Sequence, residues 1–499
     1  MRNLLWVLCA ALLFACRQPN TDSARPLEIV VPSSVSTLDP RFSTQSIDVK
    51  VTRLIHAGLV GLDPQTLQPV PYAAQSWRFV DPSTLQLMLK GGVRFHSGRP
   101  LRPNDVCATL RALGDPALGS PYRSIVEAID RCEPRPDNSV VIHLGSARAT
   151  LLTDLEMPIL REDQAGAPAG SPLDGLGPYQ VTTRDDDRVE LTPSNTGVLP
   201  KPAHALTVRT IRDANVRVLR LMAGRSDIAP NSIPLTLLPA LEGQPGVTVT
   251  ARLGANVTYL LLHNERSPLD RRAVRWAISQ AIDRDLIVRT LLAGRAQAAF
   301  GLFPPQHWAA GSAPQEPLMD AGKARSVFGG LRSTDGPMPE PITLLTSTDR
   351  SRLPIARAVA QMLSDAGLPT QVAPLDSGAL FERLDRGDYQ IAILQMPELT
   401  EPNVLRWFFH QSAVPGEGGV GKNRARYRSA RTSELLDQAQ AEPSHEKRAA
   451  LYAAVAAMLQ QDMPVVPLWH EDQVAVLSPR ARGFALSAEG RWLAAAAIP

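Results

Sequence analysis

A glycine-rich segment contains the residue types of a phosphate-binding loop. Residues 416–423 read Gly-Glu-Gly-Gly-Val-Gly-Lys-Asn, close to the pattern G-x-x-x-x-G-K-[ST]. Phosphate binding by that pattern requires a strand before it, a helix directly after it and a final hydroxyl for magnesium. Asn423 replaces the hydroxyl, and the flanking residues do not have the required strand and helix patterns. We therefore interpret this segment as a surface loop.

Other patterns that could perform chemistry are missing from the sequence. The nine histidines do not occur at metal-ligand spacing, and there is no G-x-S-x-G nucleophile motif. Residues 185–187 are three aspartates between Arg184 and Arg188, which favours a solvated hairpin tip over a cation site. We expect a protein that is not an enzyme and uses no cofactor or metal. An enzyme with an unrecognised carboxylate pair is the alternative from this class.

Composition limits the classes of partner. Lys and Arg total 52 against 49 Asp and Glu, a net charge of +3, which is too balanced for a nucleic-acid binder that neutralises phosphates. With 44% hydrophobic residues, the chain can bury a core. Its 499 residues suggest about three domains or one large two-lobed body.

The N-terminus has the pattern of a targeting segment. Arg2 precedes an apolar run over residues 4–15, shorter than the ~20 residues that span a bilayer. We therefore expect residues 1–15 to be a signal peptide. Residues 13–16, Leu-Phe-Ala-Cys, resemble a bacterial lipobox, which implies lipidation of Cys16 and a tether over residues 16–25. Ordinary secretion, with Cys16 an incidental thiol, is the alternative.

Two further cysteines, Cys107 and Cys132, remain in the mature chain. In an oxidising compartment they could form a disulfide, or they could be two separately buried thiols. Helical spacing over residues 104–113 predicts that Cys107 lies on a helix, and Cys132 precedes a predicted strand, Ser139–Leu144.

Strand and helix patterns alternate along the chain, which predicts a mixed α/β fold. Leu27–Val31 and Thr84–Leu89 are typical of strands, and residues 269–282 of one long amphipathic helix. Residues 341–374 predict a strand, a helix ending before Gly367 and a second strand. Such a unit implies a parallel sheet.

Several motifs, in order, carry a family resemblance. They are Leu38-Asp39-Pro40, residues 59–62 and 74–77, the segment 92–106 (Gly-Val-Arg-Phe-His-Ser-Gly-Arg-Pro-Leu-Arg-Pro-Asn-Asp-Val), residues 175–179, Asn264 with 275–284, and the closing segments 448–459 and 464–468. With them the chain resembles the family 5 extracellular solute-binding proteins of bacterial ABC importers, which take up oligopeptides, dipeptides and nickel complexes. Ser97 replaces an acidic residue of that pattern, and residues 193–197 replace its N-P-x-Y-W turn.

The resemblance implies a two-lobed α/β fold of the type II periplasmic-binding-protein kind, with an extra inserted α/β domain. Lobe I would comprise residues 26–58, 176–262 and 473–499, the inserted domain 59–175, and lobe II 263–472. We expect the hinge at residues 259–263 and 474–477. The protein would be a monomeric lipoprotein of the periplasm or cell surface that delivers a peptide or similar solute to an ABC permease and ATPase. A stand-alone solute sensor or chaperone, or a binder of a nickel complex or oligosaccharide, is the alternative.

The resemblance also implies a ligand site. Peptide binders of the family pair an Asp with the amino terminus of the ligand, and Glu398 occupies that place, four residues before Pro402. Pro397 removes a backbone donor beside it. The alternative is that Glu398 and Glu401 are solvated loop charges. The expected ligand-binding residues are Glu398, Met396, Gln395, Ser34, Val35 and Trp407.

Overall fold

The computed structural model describes residues 25–312, 318–334, 341–349, 351–396, 398–416 and 422–499. The expected signal peptide, Cys16, Pro397 and the glycine-rich residues 417–421 lie outside the described residues. Within those ranges, none of the helices combines the length and the apolar character that a membrane crossing requires.

The strands fall into one large sheet, one four-stranded sheet and one two-stranded sheet. In chain order they are β1 (Leu27–Val31), β2 (Val60–Leu62), β3 (Pro69–Pro71), β4 (Ala74–Asp81), β5 (Thr84–Leu89), β6 (Ile129–Pro134), β7 (Ser139–Leu144), β8 (Tyr179–Arg184), β9 (Arg188–Pro193), β10 (Leu206–Thr210), β11 (Ile228–Pro230), β12 (Thr248–Leu253), β13 (Val257–Leu262), β14 (Ala296–Ala298), β15 (Ile342–Ser347), β16 (Thr370–Leu375), β17 (Ile391–Met396) and β18 (Val465–Leu477).

Helices pack on the faces of these sheets. They are α1 (Ser46–Ile55), α2 (Pro103–Gly114), α3 (Arg123–Val126), α4 (Leu151–Asp154), α5 (Ala214–Met222), α6 (Arg272–Gln280), α7 (Arg284–Leu291), α8 (Ala321–Thr334), α9 (Arg352–Asp365), α10 (Ser377–Arg386), α11 (Val404–Phe409), α12 (Ala430–Ala441) and α13 (His445–Asp462), with 3₁₀ turns at Leu235–Ala240, Gln411–Ala413, Pro479–Ala481 and Leu493–Ala497.

One long strand, β18, belongs to both halves of the large sheet. The residues from Val465 to Trp469 pair with β13, whereas the residues from Asp472 to Leu477 pair with β12. The sheet order is β16-β15-β17-β13-β18-β11-β1-β10-β9-β8, with β12 and β14 also paired to β18. We keep the name lobe I for the half with β1 and β8–β12, and lobe II for the half with β13–β17.

Each half has apolar cores on both of its faces. In lobe II the alternating side chains of β13 enter two different clusters, with Leu260 in one and Tyr259 in the other. In lobe I, Ile29 and Val30 of β1 are divided in the same way. A strand that is buried on both faces has no polar alternation, which explains the apolar runs Ile29–Val31 in β1 and Tyr259–Leu262 in β13.

The inserted domain is the body around the four-stranded sheet β4-β5-β7-β6. Its separate core is built on α2 and residues such as Leu85, Leu87 and Phe95. Cys107 on α2 and Cys132 on β6 form a disulfide with a Cα–Cα distance of 5.4 Å. A separate hydrophobic core is what distinguishes a domain from an extension of a lobe.

Most predicted elements of the mature chain are confirmed, including the parallel pairing of β15 with β16 around α9. The helix predicted over residues 269–282 is confirmed as α6 but is shorter at both ends, from Arg272 to Gln280. A separate helix, α7, follows it, because the Asp283 side chain accepts a hydrogen bond from the Leu286 amide and begins a new helix. Cys132 precedes β7, whose bounds are those predicted, and it lies in a further strand, β6, that the sequence analysis did not predict.

The chain crosses between the lobes earlier than expected from the sequence. Residues 254–256 connect β12 of lobe I to β13 of lobe II, so residues 259–262 pair entirely within lobe II. The second crossing is in β18 between Trp469 and Asp472. At these two adjacent crossings the main chain passes from one lobe to the other.

Candidate functional site

A cleft of about 980 Å³ lies between the two lobes. Lobe I contributes Lys50 of α1 and the turn of residues 231–236, and lobe II contributes the start of α9 with Gln395 and Glu398. The crossing strand β18 supplies the polar side chains of Glu471, Asp472 and Gln473. A cavity of this size and lining is suited to a small-molecule ligand.

Glu471 organises the lobe II side of the cleft. Its Oε1 lies 2.8 Å from Arg352 Nη1 and accepts a hydrogen bond of 3.1 Å from the Thr258 hydroxyl. Arg352 also donates to Gln395 Oε1 at 2.8 Å. The helix start at Arg352, β17 and β18 are therefore held together by one charged network.

The amide side chains of Asn231 and Asn256 hold the backbone in place on the lobe I side of the cleft. The Asn231 side chain bonds to Gln473 and accepts from the Val474 amide at 2.7 Å. Asn256 donates to the Glu471 carbonyl at 2.7 Å and accepts from the Glu471 amide at 2.8 Å. Gly254 fits beside them because it lacks a Cβ, which would lie 2.6 Å from the backbone carbonyl oxygen of Glu471. The backbone at both crossings is thus tightly specified.

A buried ionic cluster lies where α1 meets the C-terminal segment. Glu156 pairs with Arg53 and Arg491, and Arg491 also faces Glu489 at 3.1 Å. Burial would raise the pKa of Glu156, but the two guanidinium groups outweigh it and lower that pKa. Glu489, which lines the cleft, is 3% exposed, and burial raises its pKa.

Two of the residues expected from the sequence, Gln395 and Glu398, line this cleft. The Glu398 side chain is exposed there and has no hydrogen bond or ion pair with any residue that the structure describes. Gln395 accepts a hydrogen bond from Arg352.

The other four expected residues lie elsewhere. Met396 is 5% exposed and packs in a lobe II core, because consecutive side chains of a strand point to opposite faces. Trp407 is 47% exposed on α11 and does not line the cleft. Ser34 and Val35 line a separate 570 Å³ depression beside Arg184 and the aspartates of the β8–β9 hairpin. The structure therefore does not bring these four residues together with Glu398.

Glu401 has a structural role. Its Oε1 lies 2.6 Å from Arg448 Nη2, and its Oε2 accepts from the Thr153 hydroxyl of the inserted domain at 2.9 Å. The interpretation of Glu401 as a solvated loop charge is wrong, since both carboxylate oxygens have protein partners. Glu401 also lines a smaller cavity of about 190 Å³ with Asp154.

The motif residues of the family resemblance are mainly structural. Phe95 and Tyr179 are buried, and Tyr179 donates to the Ala495 carbonyl at 3.3 Å. Asp105, the third residue of α2, accepts a hydrogen bond from the amide of Arg102, which precedes the helix, at 2.8 Å. Arg284 donates to the Pro467 carbonyl at 2.9 Å instead of pairing with a neighbouring aspartate.

Sequence reasoning missed Lys50, Arg352 and Glu471. For Glu471 a signal existed, because residues 470–473 interrupt an otherwise apolar run with polar side chains. A buried strand that contains such an interruption often lines a site. Lys50 and Arg352 carried no such signal, since a charged residue on an amphipathic helix is usually solvated. The described residues include no group of three or more His, Cys, Asp or Glu placed to hold a metal ion.

The two lobes, the inserted domain and the interlobe cleft define the class of two-lobed solute-binding proteins. The family model of bacterial extracellular solute-binding proteins, family 5, matches residues 68–415, and the chain belongs to that family. The family consists of binding proteins that act outside the cytoplasm, which agrees with the expectation that this protein is not an enzyme.

Individual relatives match nearly the whole chain. A probable di/tripeptide-binding protein 5 of Pseudomonas aeruginosa is 27% identical, over 97% of this chain and 94% of the relative. The DppA periplasmic binding protein of Helicobacter pylori, solved with the peptide STSA, has a TM-score of 0.76 at 23% identity, covering 96% of this chain and 98% of its own. NikZ of Campylobacter jejuni, solved with Ni(L-His), has a TM-score of 0.77 at 20% identity, covering 94% and 97%. These structures confirm the two-lobed α/β fold.

Proposed function

We propose that this protein is the lipid-anchored binding component of an ABC importer. It captures a peptide or similar solute between lobes I and II and delivers it to the permease. Ligand binding would favour a closed arrangement of the lobes, and the permease would recognise that arrangement better than the open one. Lipidation of Cys16 would keep the protein at the membrane on a tether. The tether expected over residues 16–25 would end before Arg25, because Arg25 pairs with Asp227 of the folded body at 2.8 Å.

The observation that carries the peptide proposal is the position of Glu398. It follows β17 in the wall of a 980 Å³ cleft, and its carboxylate makes no hydrogen bond or close ion pair with a described residue, although its charge acts on Lys50, Arg53 and Arg491. A carboxylate in such a cleft is suited to the α-ammonium group of a peptide. The name of the Pseudomonas aeruginosa relative, a di/tripeptide-binding protein, supports the same ligand class.

The ligand can be identified without assumptions about its class. Purified protein is denatured, and the released small molecules are analysed by mass spectrometry. We expect short peptides. A nickel complex, for which NikZ is the precedent, or an oligosaccharide would instead contradict the peptide assignment.

The role of Glu398 is tested by Glu398→Gln in titration calorimetry. Loss of one partner of a desolvated charge pair should weaken an amine-bearing peptide by roughly two to four decades, and leave its N-acetylated form almost unaffected. Glu434→Gln is the control, because Glu434 is an exposed residue of α12 that does not line the cleft. Equal small effects of both variants would exclude an amine site at Glu398.

The importer assignment has its own test. Deletion of the neighbouring permease gene should abolish uptake of the bound solute while leaving binding to the purified protein unchanged. Uptake that persists without that permease would favour a stand-alone sensor or chaperone.

A further inference from the structure

A short helix of lobe I exposes an apolar side to solvent. α5 carries Val216, Leu219 and Met222, which are 44%, 63% and 45% exposed. Their spacing of three residues places them along one side of the helix. Single exposed apolar residues are common on proteins, but three on one helix of nine residues form a patch of the kind that marks a contact surface.

The opposite side of α5 is fixed to lobe I. Leu221 is buried in a lobe I core, and Val218 packs partly against the same core. Arg217 is buried as well, and its Nε donates to the Ser232 carbonyl at 2.7 Å. A rotation that buried the exposed side of the helix would break these contacts. The apolar patch therefore needs a partner outside the lobe.

The N-terminal segment meets the folded body beside the end of this helix. Arg25 donates from Nη2 to the carbonyl of Gly224, just after α5, at 2.7 Å, and it pairs with Asp227 at 2.8 Å. Arg480 in turn donates to the Arg25 carbonyl at 2.6 Å. Contacts of both the side chain and the main chain thus hold Arg25 next to α5.

The proposed lipid anchor would bring this part of lobe I close to a bilayer. From Cys16 to Arg25 the chain can reach about 30 Å at full extension. Acyl chains on Cys16 would lie in the membrane, so Arg25 would stay within that reach of the bilayer surface. The apolar patch of α5 would then be among the parts of the folded body nearest to the lipid.

The charges at the ends of α5 suit the headgroups of an anionic lipid. Arg225 follows the helix, is exposed, and has no hydrogen bond or ion pair from its side chain to a described residue. Arg212 precedes the helix, is 75% exposed and lies 3.9 Å from Asp187. Asp213 caps the helix by accepting a hydrogen bond from the Val216 amide at 2.9 Å. An apolar side with arginines at both ends is typical of a helix that lies in a membrane interface.

A membrane accounts for the patch better than the permease does. A permease that recognises the closed arrangement must contact both lobes, because closure changes only their relative position. The patch on α5 belongs to lobe I alone, so it presents the same surface in the open and the closed arrangement. Contact with a lipid surface requires no such change.

We propose that the exposed side of α5 lies on the membrane surface, so that this helix and the lipid anchor together hold lobe I against the bilayer. This rests on the lipid anchor of the proposed function and adds a second membrane contact to it. The contact adds apolar burial and attraction to anionic lipid to the effect of the acyl chains. Because Arg217 on the inner side of α5 lines the cleft, the contact also keeps the lobe I edge of the cleft near the membrane.

The test places a fluorescent probe on the patch of the lipidated protein. Leu219→Cys introduces a thiol that can be labelled selectively, because Cys16 would carry lipid and Cys107 and Cys132 form a disulfide. The labelled protein is reconstituted into vesicles of phosphatidylethanolamine and phosphatidylglycerol. The probe emission should shift to shorter wavelength, and lipids brominated near the headgroup should quench it. Val80→Cys, at a 59% exposed residue of β4, is the matched control and should show neither effect.

Three results of this experiment would overturn the proposal. An unquenched probe at position 219 would show that the patch does not touch lipid. Equal quenching at positions 219 and 80 would show that no particular face is turned to the bilayer. Quenching at position 219 that appears only when the permease is present in the vesicles would assign the patch to a protein contact instead.

A second measurement does not depend on the anchor. In unlipidated Cys16→Ser protein with vesicles in excess, Leu219→Asp should weaken binding about tenfold, the size expected for the lost burial of one leucine, and Val80→Asp should not. If intact mass shows no acyl chain on Cys16 but this difference is found, the anchor fails and the α5 contact stands. If Cys16 is acylated but the difference is absent and the probe is not quenched, the α5 contact fails and the anchor stands.

Discussion

The hydroxyl of Thr153 donates a hydrogen bond of 2.9 Å to Glu401 Oε2, which joins the inserted domain directly to lobe II. A second contact lies beside it, where the Ala149 amide donates to the Gln440 carbonyl at 3.0 Å. The inserted domain therefore contacts lobe II through Glu401 as well as through the main chain. Glu401 is held in place by its pair with Arg448.

We expect Glu401→Ala to destabilise this contact. The side chains of Glu401 and Arg448 are 17% and 9% exposed, so removal of the carboxylate leaves a largely buried guanidinium unpaired. The free energy of unfolding should fall by roughly 2–3 kcal/mol, between the values for surface and fully buried ion pairs. Urea denaturation measures the loss, and Glu434→Ala, at an exposed pair with Arg431, is the control. Equal stability of both variants would show that the contact contributes little.

Asp154, next to this contact, should make stability depend on pH. Burial raises its pKa to about 7, with a further contribution from Glu401, although Arg148 opposes the shift at 2.8 Å. Between about pH 4 and 7 the Asp154 carboxyl is protonated in the folded protein and ionised in the unfolded chain. The contribution of Asp154 to the free energy of unfolding therefore falls as pH rises through this window.

The Asp154→Asn variant tests that pH dependence. Because Asn does not titrate, the loss of stability between pH 4 and pH 7 should be smaller in the variant than in the wild type. Denaturation curves at several pH values give the comparison, and Asp163→Asn, at a 59% exposed carboxylate, should leave the wild-type slope unchanged. Parallel curves for wild type and Asp154→Asn would mean that Asp154 is not the responsible group.

Local sequence patterns were sufficient to predict many of the strands and helices of the fold. The strand–helix–strand unit of β15, α9 and β16 has apolar runs of the right period and a glycine after the helix at φ +103°. The crossing between the lobes was not predictable in the same way. Residues 254–256 are fixed by the amide contacts of Asn256 with Glu471, which is 215 residues away in sequence. Local periodicity contains no information about such partners.

The candidate site, like the fold, has one part that the sequence predicts and another part that only the structure shows. The position of Glu398 in the cleft could be predicted, because the family motif places an acidic residue four residues before Pro402. Met396 was grouped with it by proximity in sequence, but strand alternation turns Met396 into the core while Gln395 faces the cleft. Lys50 lines the cleft because α1 packs its opposite face in a lobe I core, a placement that local sequence does not predict.

The lipid anchor is tested by Cys16→Ser. The variant should lose its acyl chains and appear in the soluble fraction, while ligand binding is unchanged, because residues 16–25 precede the first strand of the folded body. Membrane fractionation and intact-mass measurement detect the two effects. Ser23→Ala, in the same tether but without a change at the cysteine, should remain with the membranes. Wild-type membrane partitioning of Cys16→Ser would exclude the lipobox interpretation.

The disulfide between Cys107 and Cys132 should stabilise the inserted domain. The bond connects α2 to β6 across 25 residues of sequence, and closure of a loop of that length corresponds to about 3.5 kcal/mol of unfolding free energy in the chain-entropy model. The double variant Cys107→Ala/Cys132→Ala should therefore unfold at a lower urea concentration. Under reducing conditions the wild type should approach the stability of that variant, and the variant itself should not respond to reductant.

Thiol alkylation provides a direct check of the same bond. When the protein is unfolded without reductant, Cys107 and Cys132 should resist alkylation, and both should react once reductant is added. In the folded domain Cys107 is only 3% exposed, so burial alone would protect it from alkylation. Unfolding removes that protection, and the remaining resistance must then come from the bond between α2 and β6. Alkylation of both cysteines in the unfolded, unreduced protein would show that they are separate thiols, and the stability difference expected from loop closure should then be absent as well.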